Sequence, residues 1–261
     1  MKILAIVGSC RKNGNTDQLV DMVRKGLNEE AERAAVALEV ETLHLADRPI
    51  GFCRGCRACF DRGEESCPVK DDLLSIKAKM KQADGILVAS PVYVHDVSGV
   101  MKNWIDRLAH VCHRPEFAGK CGYLLVTVGG SPTRHALGSL HVALSTWGFF
   151  VAGATGLKTG GLMTADEARR FEGRAQRIAG QLFRAIHKRR YAQPSFRTLM
   201  TFKIQQCYWQ RAPRRDTLDY TYWKGQGWLE PGRDYYAAHK AWRPKVIMAR
   251  LAGAFIAPFV S

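Results

Sequence analysis

Four cysteines lie close together between residues 53 and 67. Their spacing is Cys53-x2-Cys56-x2-Cys59-x7-Cys67, and Pro68 follows the fourth. Three thiolates at intervals of three can ligate one face of a cluster, and a fourth that arrives after a longer excursion completes the ligation, much as in the C-x2-C-x2-C-x3-C-P motif of ferredoxins. The spacing therefore predicts an iron–sulfur cluster held by these four cysteines.

Two other uses of the four thiols stay open at this point. A structural zinc site also takes four thiolates, although its usual arrangement is two separated C-x2-C pairs. Redox-active thiols without a metal are the other alternative, whereas stable disulfides are disfavoured in a reducing cytoplasm. The remaining cysteines are interpreted as small apolar fillers: Cys10, Cys112, Cys121 and Cys207.

A second segment with chemical potential is GSCRKNGNT, residues 8–16. A strand that runs into such a loop and then into a helix presents backbone amides and the positive end of the helix dipole to an anion. Ser9, Asn15 and Thr16 add short polar donors, and Arg11 adds a fixed charge. The segment lacks the Lys-Ser/Thr ending of nucleoside-triphosphate loops and the GxGxxG spacing of dinucleotide sites. It predicts a site for a phosphate monoester, with an ordinary Gly/Asn turn before a capped helix as the alternative.

Strand-like and helix-like segments alternate through the first 190 residues, which is typical of βαβ units and a parallel sheet. Strands are predicted at residues 2–8, 38–45, 85–90, 123–129 and 149–153. Helices are predicted at residues 16–31, 72–82, 99–111, 134–147 and 165–188. The fold class that follows is α/β, a flavodoxin-like doubly wound sheet of five parallel strands.

The segments with chemical potential all lie where predicted strands end. They are residues 8–15, 46–70, 91–96 and 129–133, and ligands of such folds bind at the carboxyl ends of the strands. The connection of residues 46–70, which carries the four cysteines, is much longer than the usual few residues, and its length indicates a function. Gly55 and Gly63 allow it to turn tightly.

The order of these motifs resembles one known family. GSCRKNGNT, then SPVY at residues 90–93, then MKNWIDR at residues 101–107, then a strand that ends in Gly129-Gly130 is similar to the NADPH-dependent FMN reductases of the flavodoxin-like group. The similarity covers about the first 190 residues. With the cysteine motif added, the chain resembles the iron–sulfur flavoproteins, in which one [4Fe–4S] cluster lies close to FMN.

The resemblance implies which residues bind FMN. Its phosphate is expected on Ser9, Arg11, Asn13, Asn15 and Thr16. The residues expected beside the isoalloxazine ring are Pro91, Val92, Tyr93, Val94, Gly129, Gly130 and Ser131.

Other residues near these loops have more than one possible role. Tyr93 is a candidate edge or stacking group, and His95 departs from the usual loop; it is a candidate proton donor because histidine titrates near neutrality, or else it fills space. Lys102, Asp106 and Arg107 match a helix that supports the flavin loop or a subunit contact, or that is merely structural.

These inferences together predict an electron-transfer flavoprotein. FMN exchanges one or two electrons and a cluster passes one at a time, so electrons are expected to enter from ferredoxin or NAD(P)H and to leave to a small acceptor such as a quinone or an oxygen species. The alternatives are an NAD(P)H-dependent FMN or quinone reductase without a cluster, and a regulatory flavin-binding protein. The resemblance implies a homodimer or a homotetramer.

The formal net charge of +15 is concentrated toward the end of the chain, where residues 181–261 contain 15 Lys/Arg against 4 Asp/Glu. We divide the chain into an FMN-binding domain, residues 1–190 with the cysteine loop 46–70, and a basic aromatic extension, residues 191–261, that packs on the core or on a partner subunit. Nucleic-acid binding is disfavoured because no recognised module accompanies the basic residues, and a peripheral membrane contact is also disfavoured. Without a leader at its start, the chain is predicted to be cytoplasmic.

Overall fold

A parallel sheet organises the first part of the chain in the computed structural model, which describes residues 1–259. Its strand order is β2-β1-β3-β5-β6, and the short β4 pairs antiparallel with β3. This is the flavodoxin-like order, with the change of direction between β1 and β3, so the predicted fold class is confirmed. The strands are β1 (Lys2–Val7), β2 (Glu39–His44), β3 (Gly85–Tyr93), β4 (Asp96–Val97), β5 (Cys121–Val128) and β6 (Phe150–Lys158).

Successive side chains of β1 point to opposite faces of the sheet, and both faces are buried. Leu4 and Ile6 join an apolar cluster on one face, whereas Ile3, Ala5 and Val7 join another on the opposite face. Successive side chains of a strand point to opposite faces, and a strand covered on both sides reads as a continuous apolar run.

Helices cover the sheet on both sides. The first apolar cluster packs against α3, α4 and α5, and the second packs against α1 and α7. The helices of this part are α1 (Asn15–Arg33), α2 (Ala58–Asp61), α3 (Leu73–Gln82), α4 (Gly99–Arg107), α5 (Arg134–Thr146), α6 (Ala165–Arg169) and α7 (Glu172–His187).

Several predicted boundaries differ from the structure, and β3, for example, continues to Tyr93. The last strand continues to Lys158 because it stays paired with β5, although its Ala/Gly/Thr-rich second half carries little apolar signal. The helix predicted over residues 99–111 ends at Arg107, and a 3-10 turn, Ala109–Cys112, follows it. The helix predicted over residues 165–188 is two helices, α6 and α7.

Up to residue 259, the extension contains three further α-helices, α8 (Phe196–Gln210), α9 (Leu218–Gly225) and α10 (Arg243–Ile256). They enclose an apolar cluster of their own, in which the rings of Trp223 and Trp228 lie 5.1 Å apart and those of Trp228 and Tyr236 lie 4.9 Å apart. The aromatic residues of the extension thus pack with one another. Within residues 1–259, no helix combines the length and apolar character needed to cross a membrane.

The packing of α5 on the sheet gives a direct test of the fold. Leu140 is fully buried, whereas Val142 on the same helix is exposed. Leu140→Ala is expected to lower the free energy of unfolding by about 2–5 kcal/mol, because it removes apolar contacts and leaves a cavity. Val142→Ala should change it by less than about 0.5 kcal/mol. Urea unfolding of both variants checks this, and equal stabilities would contradict the assigned face of α5.

Candidate functional site

The loop between β1 and α1 has the backbone geometry of an anion site. Gly14 is the N-cap of α1 and provides no side-chain cap, so the first N–H groups of the helix have no acceptor within it. Asn13 has a φ of 57°, a left-handed conformation that asparagine tolerates better than most residues. The loop therefore turns the positive end of the α1 dipole toward the sheet edge.

The predicted phosphate residues fall into two groups. Ser9 is buried, with its hydroxyl 3.1 Å from the Arg11 backbone N–H, while the side chains of Arg11 and Asn13 are exposed. The Thr16 hydroxyl, in contrast, lies 2.7 Å from that of Thr127 on β5.

Asn15 also uses its side chain inside the protein. Its amide donates to the Thr159 hydroxyl at 2.9 Å, and its oxygen accepts from the Met163 N–H at 2.9 Å. The side chains of Asn15 and Thr16 thus fasten the loop to β5 and to the segment after β6, and these two residues can meet an anion through their backbone N–H groups.

Short contacts join the first loop to the second. The Gly8 N–H donates to the Ala89 carbonyl at 2.8 Å, and the Ser98 hydroxyl donates to the Gly8 carbonyl at 2.5 Å. Ser98 also receives the Met101 N–H and is the N-cap of α4. A Cβ at Gly8 would lie 2.9 Å from the Met101 Cβ, so only glycine fits there.

The second loop is a tight hairpin between β3 and β4. Val94 and His95 form its two-residue turn, with φ values of 48° and 67°. Two positive φ angles define the type I′ turn that suits a hairpin, but Val is β-branched and is strained there. Tyr93 is 44% exposed and Val94 is 96% exposed. The turn thus presents an apolar surface at the sheet edge, and strain of this kind clusters at ligand clamps.

The third loop follows β5 at the same edge. Gly129 and Gly130 are exposed, and Thr159 after β6 donates its N–H to the Val128 carbonyl at 2.8 Å. Pro91 on β3 is in register with Thr127 on β5. The structure therefore brings the three predicted flavin loops to neighbouring strand ends.

The four cysteines of the long loop line one cavity of about 200 Å³. Gly55 and Gly63 have φ values of 63° and 94°, so both make the tight turns that the sequence predicts. Arg57 adopts a φ of 62°, a conformation that costs a non-glycine residue free energy. The other residues that line the cavity include Phe60, Leu73, Arg107 and His110.

The four cysteines around this cavity are free thiols that differ in their exposure to solvent. No disulfide joins them; Cys53 and Cys56 are exposed, and Cys59 and Cys67 are partly buried. Among the described residues, no three of these sulfurs lie within 4.8 Å of one another. A tetrahedral zinc with Zn–S bonds of about 2.3 Å requires sulfurs about 3.8 Å apart. Burial, followed by the neighbouring Cys67 and Cys53, raises the pKa of the Cys59 thiol.

The remaining cysteines agree only in part with their interpretation as fillers. Cys121 and Cys207 are buried, and Cys112 is partly buried. Cys10 is exposed, so the interpretation was wrong for this residue. It lies in the loop after β1, which leaves the apolar core before α1 begins.

Helix α4 connects the flavin loops to the cysteine loop. Ser98 at its start holds the Gly8 carbonyl, and Arg107 at its end is buried beneath the cysteine loop. The Arg107 guanidinium donates to the Gly51 carbonyl at 2.6 Å, to Asp71 at 2.5 Å and to the Cys67 sulfur at 3.8 Å. The MKNWIDR motif therefore positions the cysteine loop.

The other polar residues of α4 divide between two roles. The Asn103 amide donates to the Ile50 carbonyl at 3.0 Å and adds a second tie to the cysteine loop. Lys102 and Asp106 form an exposed ion pair with each other at 2.5 Å. Sequence reasoning noted Arg107 but missed Asn103, Ser98 and Asp71; Ser98 had a signal, since serine before a helix is a favoured N-cap.

The sequence of this chain is similar to that of known proteins. Residues 1–160 match the model of the family described as NADPH-dependent FMN reductase. The chain belongs to this family. This FMN reductase family member is thus a flavin-dependent oxidoreductase, and FMN is its expected cofactor.

Several relatives carry a more specific name. An iron–sulfur flavoprotein from Archaeoglobus fulgidus is 29% identical over 231 residues, which cover 88% of this chain and 100% of that protein. One from Methanosarcina thermophila is 32% identical over 158 residues, which cover 59% of this chain and 78% of that protein. A solved oxidoreductase from Corynebacterium diphtheriae shares the fold, at a TM-score of 0.52 and 21% identity over 72% of this chain and 98% of that one.

The Ser98 contact predicts an effect on flavin binding. Ser98→Ala removes the donor to Gly8 and leaves buried backbone groups unpaired, so the dissociation constant for FMN should rise about tenfold, or ~1.4 kcal/mol. Ser75→Ala, which changes an exposed serine near the start of α3, is the matched control. Fluorescence titration of the apoprotein with FMN measures both constants, and an unchanged constant for Ser98→Ala would refute the assigned contact.

His110 predicts an acid-sensitive step in stability. Burial, followed by nearby Lys77, lowers the pKa of His110 from 6.5 to about 4. The unfolded chain therefore takes up a proton between these pH values that the folded chain does not, and the free energy of unfolding falls as the pH is lowered from 6.5 toward 4.

His110→Gln should flatten this slope. Unfolding of the apoprotein between pH 6.5 and 4.5 tests it, because this range lies above the region in which Glu64, with a pKa lowered to about 2, loses its charge. The exposed His135 gives a control, His135→Gln, that should keep the slope. A slope that survives in His110→Gln would contradict the prediction.

Proposed function

We propose that this FMN reductase family member holds a [4Fe–4S] cluster on Cys53, Cys56, Cys59 and Cys67 and passes electrons between it and FMN. Electrons would enter from ferredoxin or NAD(P)H and leave to a small acceptor such as a quinone or an oxygen species. The observation that carries this proposal is that the four cysteines line one cavity of about 200 Å³. The name of the Archaeoglobus fulgidus relative, iron–sulfur flavoprotein, agrees with it.

The residues present fit both groups. For FMN, the uncapped start of α1 and the Arg11 side chain suit a phosphate, and the exposed apolar turn at Val94 suits a flat ring. For a cluster, the donor set is four cysteines that line one cavity. Arg107, which donates to the Cys67 sulfur, would stabilise a thiolate ligand.

Each residue set then has a proposed role. Ser9, Arg11 and Asn13, with the N–H groups of Asn15 and Thr16, would hold the FMN phosphate. His95 would hold or deliver a proton at the exposed turn. The residues that would flank the isoalloxazine ring are Pro91, Val92, Tyr93, Val94, Gly129, Gly130 and Ser131. FMN supplies one- and two-electron chemistry when bound, and a cluster supplies one-electron chemistry.

The division of the chain into two parts, its oligomeric state, its redox partner and its location belong to the same proposal. Residues 1–190 would form the FMN-binding domain and residues 191–261 the extension, in a homodimer or homotetramer. The basic excess of residues 181–261 would attract an acidic one-electron carrier such as ferredoxin. Free thiols and a cluster suit a reducing compartment, so a cytoplasmic location is proposed.

The second candidate is an NAD(P)H-dependent FMN or quinone reductase without a cluster. The exposure of Cys53 and Cys56 favours it, because exposed thiols can serve in redox chemistry without a metal. The two candidates share the flavin site and differ in what the cysteine cavity holds.

Chemical analysis of anaerobically purified protein distinguishes these candidates. The proposal predicts about four iron and four sulfide per FMN and no zinc. Cys56→Ser should lose the iron and keep FMN, since it removes one ligand and leaves the flavin loops intact. Cys112→Ser, which changes a partly buried cysteine that lies outside both the cavity and the flavin loops, should keep both.

Two results would decide against the proposal. Wild-type protein with FMN but without iron would establish the cluster-free candidate, and stoichiometric zinc would establish a structural metal site.

A further inference from the structure

The stretch between the third and fourth cysteines is longer than in ferredoxins, and the structure shows what its residues do. Phe60 packs edge-on against the His113 ring, with centroids 4.9 Å apart. Glu64 begins a short 3-10 turn, Glu64–Ser66, and its carboxylate accepts from the Lys77 ammonium on α3 at 2.5 Å. The additional residues therefore anchor the cysteine loop to the domain.

Glu64, which lines the cavity, belongs to a cluster of charges around the buried Lys77. The Lys77 side chain is 4% exposed, and its ammonium also donates to Glu116 at 2.5 Å and lies 3.3 Å from the His110 Nε2. Two carboxylates therefore share one lysine that water hardly reaches, although the Glu64 side chain itself is 25% exposed. Buried charges are tolerated only when they are paired, so Glu64 is held tightly.

The extension reaches the same loop from the other side. Asp219 on α9 lies 2.8 Å from the His113 Nδ1 and forms an ion pair with the Arg114 Nε at 3.3 Å. Arg114 in turn donates to the Cys59 carbonyl at 2.5 Å. The side chains of Arg114 and Asp219 are 7% and 9% exposed.

A further contact of α9 strengthens this attachment. The Trp223 indole donates to the His113 carbonyl at 2.8 Å, and α9, which begins at Leu218, also packs against α2 of the cysteine loop. The aromatic cluster of the extension is thereby fixed beside the cysteine loop.

We propose that Glu64 and Asp219 are positioning residues for the cysteine cavity, and that the extension is a structural part of this site. Glu64 fixes the segment that leads to Cys67, and Asp219 acts through Arg114 on the backbone of Cys59. The pair thus presets the two partly buried thiols, while Cys53 and Cys56 stay exposed. The role of Glu64 and Asp219 in holding a cluster rests on the proposed function. Their positioning of the Cys59 and Cys67 thiols does not depend on whether a cluster is bound.

Thiol alkylation of the metal-free, FMN-loaded protein tests the positioning role. Iodoacetamide labelling followed by peptide mass spectrometry gives a rate for each cysteine. In the wild type, Cys53 and Cys56 should react faster than Cys59 and Cys67. Glu64→Gln and Asp219→Asn should each raise the rate at Cys59 or Cys67 by roughly tenfold, because each removes the negative charge that is paired with the poorly exposed Lys77 or Arg114.

Matched controls separate this effect from a general change in charge. Asp61→Asn breaks an exposed pair with Arg57 in the same loop, and Asp216→Asn breaks an exposed pair with Arg214 in the extension. Both should label like the wild type. FMN content and near-ultraviolet circular dichroism report folding, and Leu218→Ala provides a milder variant if either charge variant fails to fold.

Iron release completes the test. After anaerobic reconstitution, Glu64→Gln and Asp219→Asn should lose iron to a chelator faster than the wild type and both controls, with FMN retained. Labelling and iron-release rates equal to those of the wild type in both variants would overturn the positioning role. Wild-type protein that binds no iron but shows the predicted labelling differences would overturn the cluster and support the positioning of the thiols.

Discussion

One helix fixes the spatial relation between the two parts of the candidate site. The α4 N-cap, Ser98, holds the carbonyl of Gly8 in the phosphate loop, and Arg107 at its other end holds the cysteine loop through Gly51, Asp71 and Cys67. The nine residues of α4 span about 13 Å at the rise of an α-helix. Because this rod is rigid, a shift of either loop relative to the other requires breaking its end contacts.

The energetic weight of these contacts comes from burial. Arg107 and Asp71 are 2% and 7% exposed at their side chains, and breaking one partner of such a pair costs about 3–5 kcal/mol. Trp104 and Met101 fasten the same helix to the sheet as fully buried side chains. The strand ends that carry the flavin loops and the cavity that carries the cysteines thus share one support. An electron-transfer role benefits from this, because it requires fixed centres.

The features that could be predicted from the sequence are those determined by residues close together in the chain. The parallel sheet follows from the βαβ alternation, and the cysteine and phosphate loops follow from residue type and spacing, since each motif is contiguous in the chain. The turns at Gly55 and Gly63 were also predictable, because glycine tolerates positive φ. The strain at Val94 and His95 carried no such signal, since neither residue favours that conformation.

Partners that lie far apart in the chain could not be predicted. The Asn15 side chain meets Met163, and Asp219 meets Arg114, only after the sheet and the extension have folded. A polar residue in a loop motif carries the same sequence signal whether its side chain binds a ligand or a distant backbone group. For this reason the sequence did not predict that the extension contacts the cysteine loop. Its aromatic and basic composition indicated packing and charge, but not the segment against which it packs.

Anomalous diffraction tests the central claim most directly. Crystals of the anaerobically reconstituted protein with FMN, measured at the iron and zinc absorption edges, would locate any metal against the chain. We expect an iron signal enclosed by Cys53, Cys56, Cys59 and Cys67, with Arg107 against the Cys67 sulfur and FMN at the strand ends. A zinc signal in this cavity, or FMN bound with no metal among the cysteines, would contradict it.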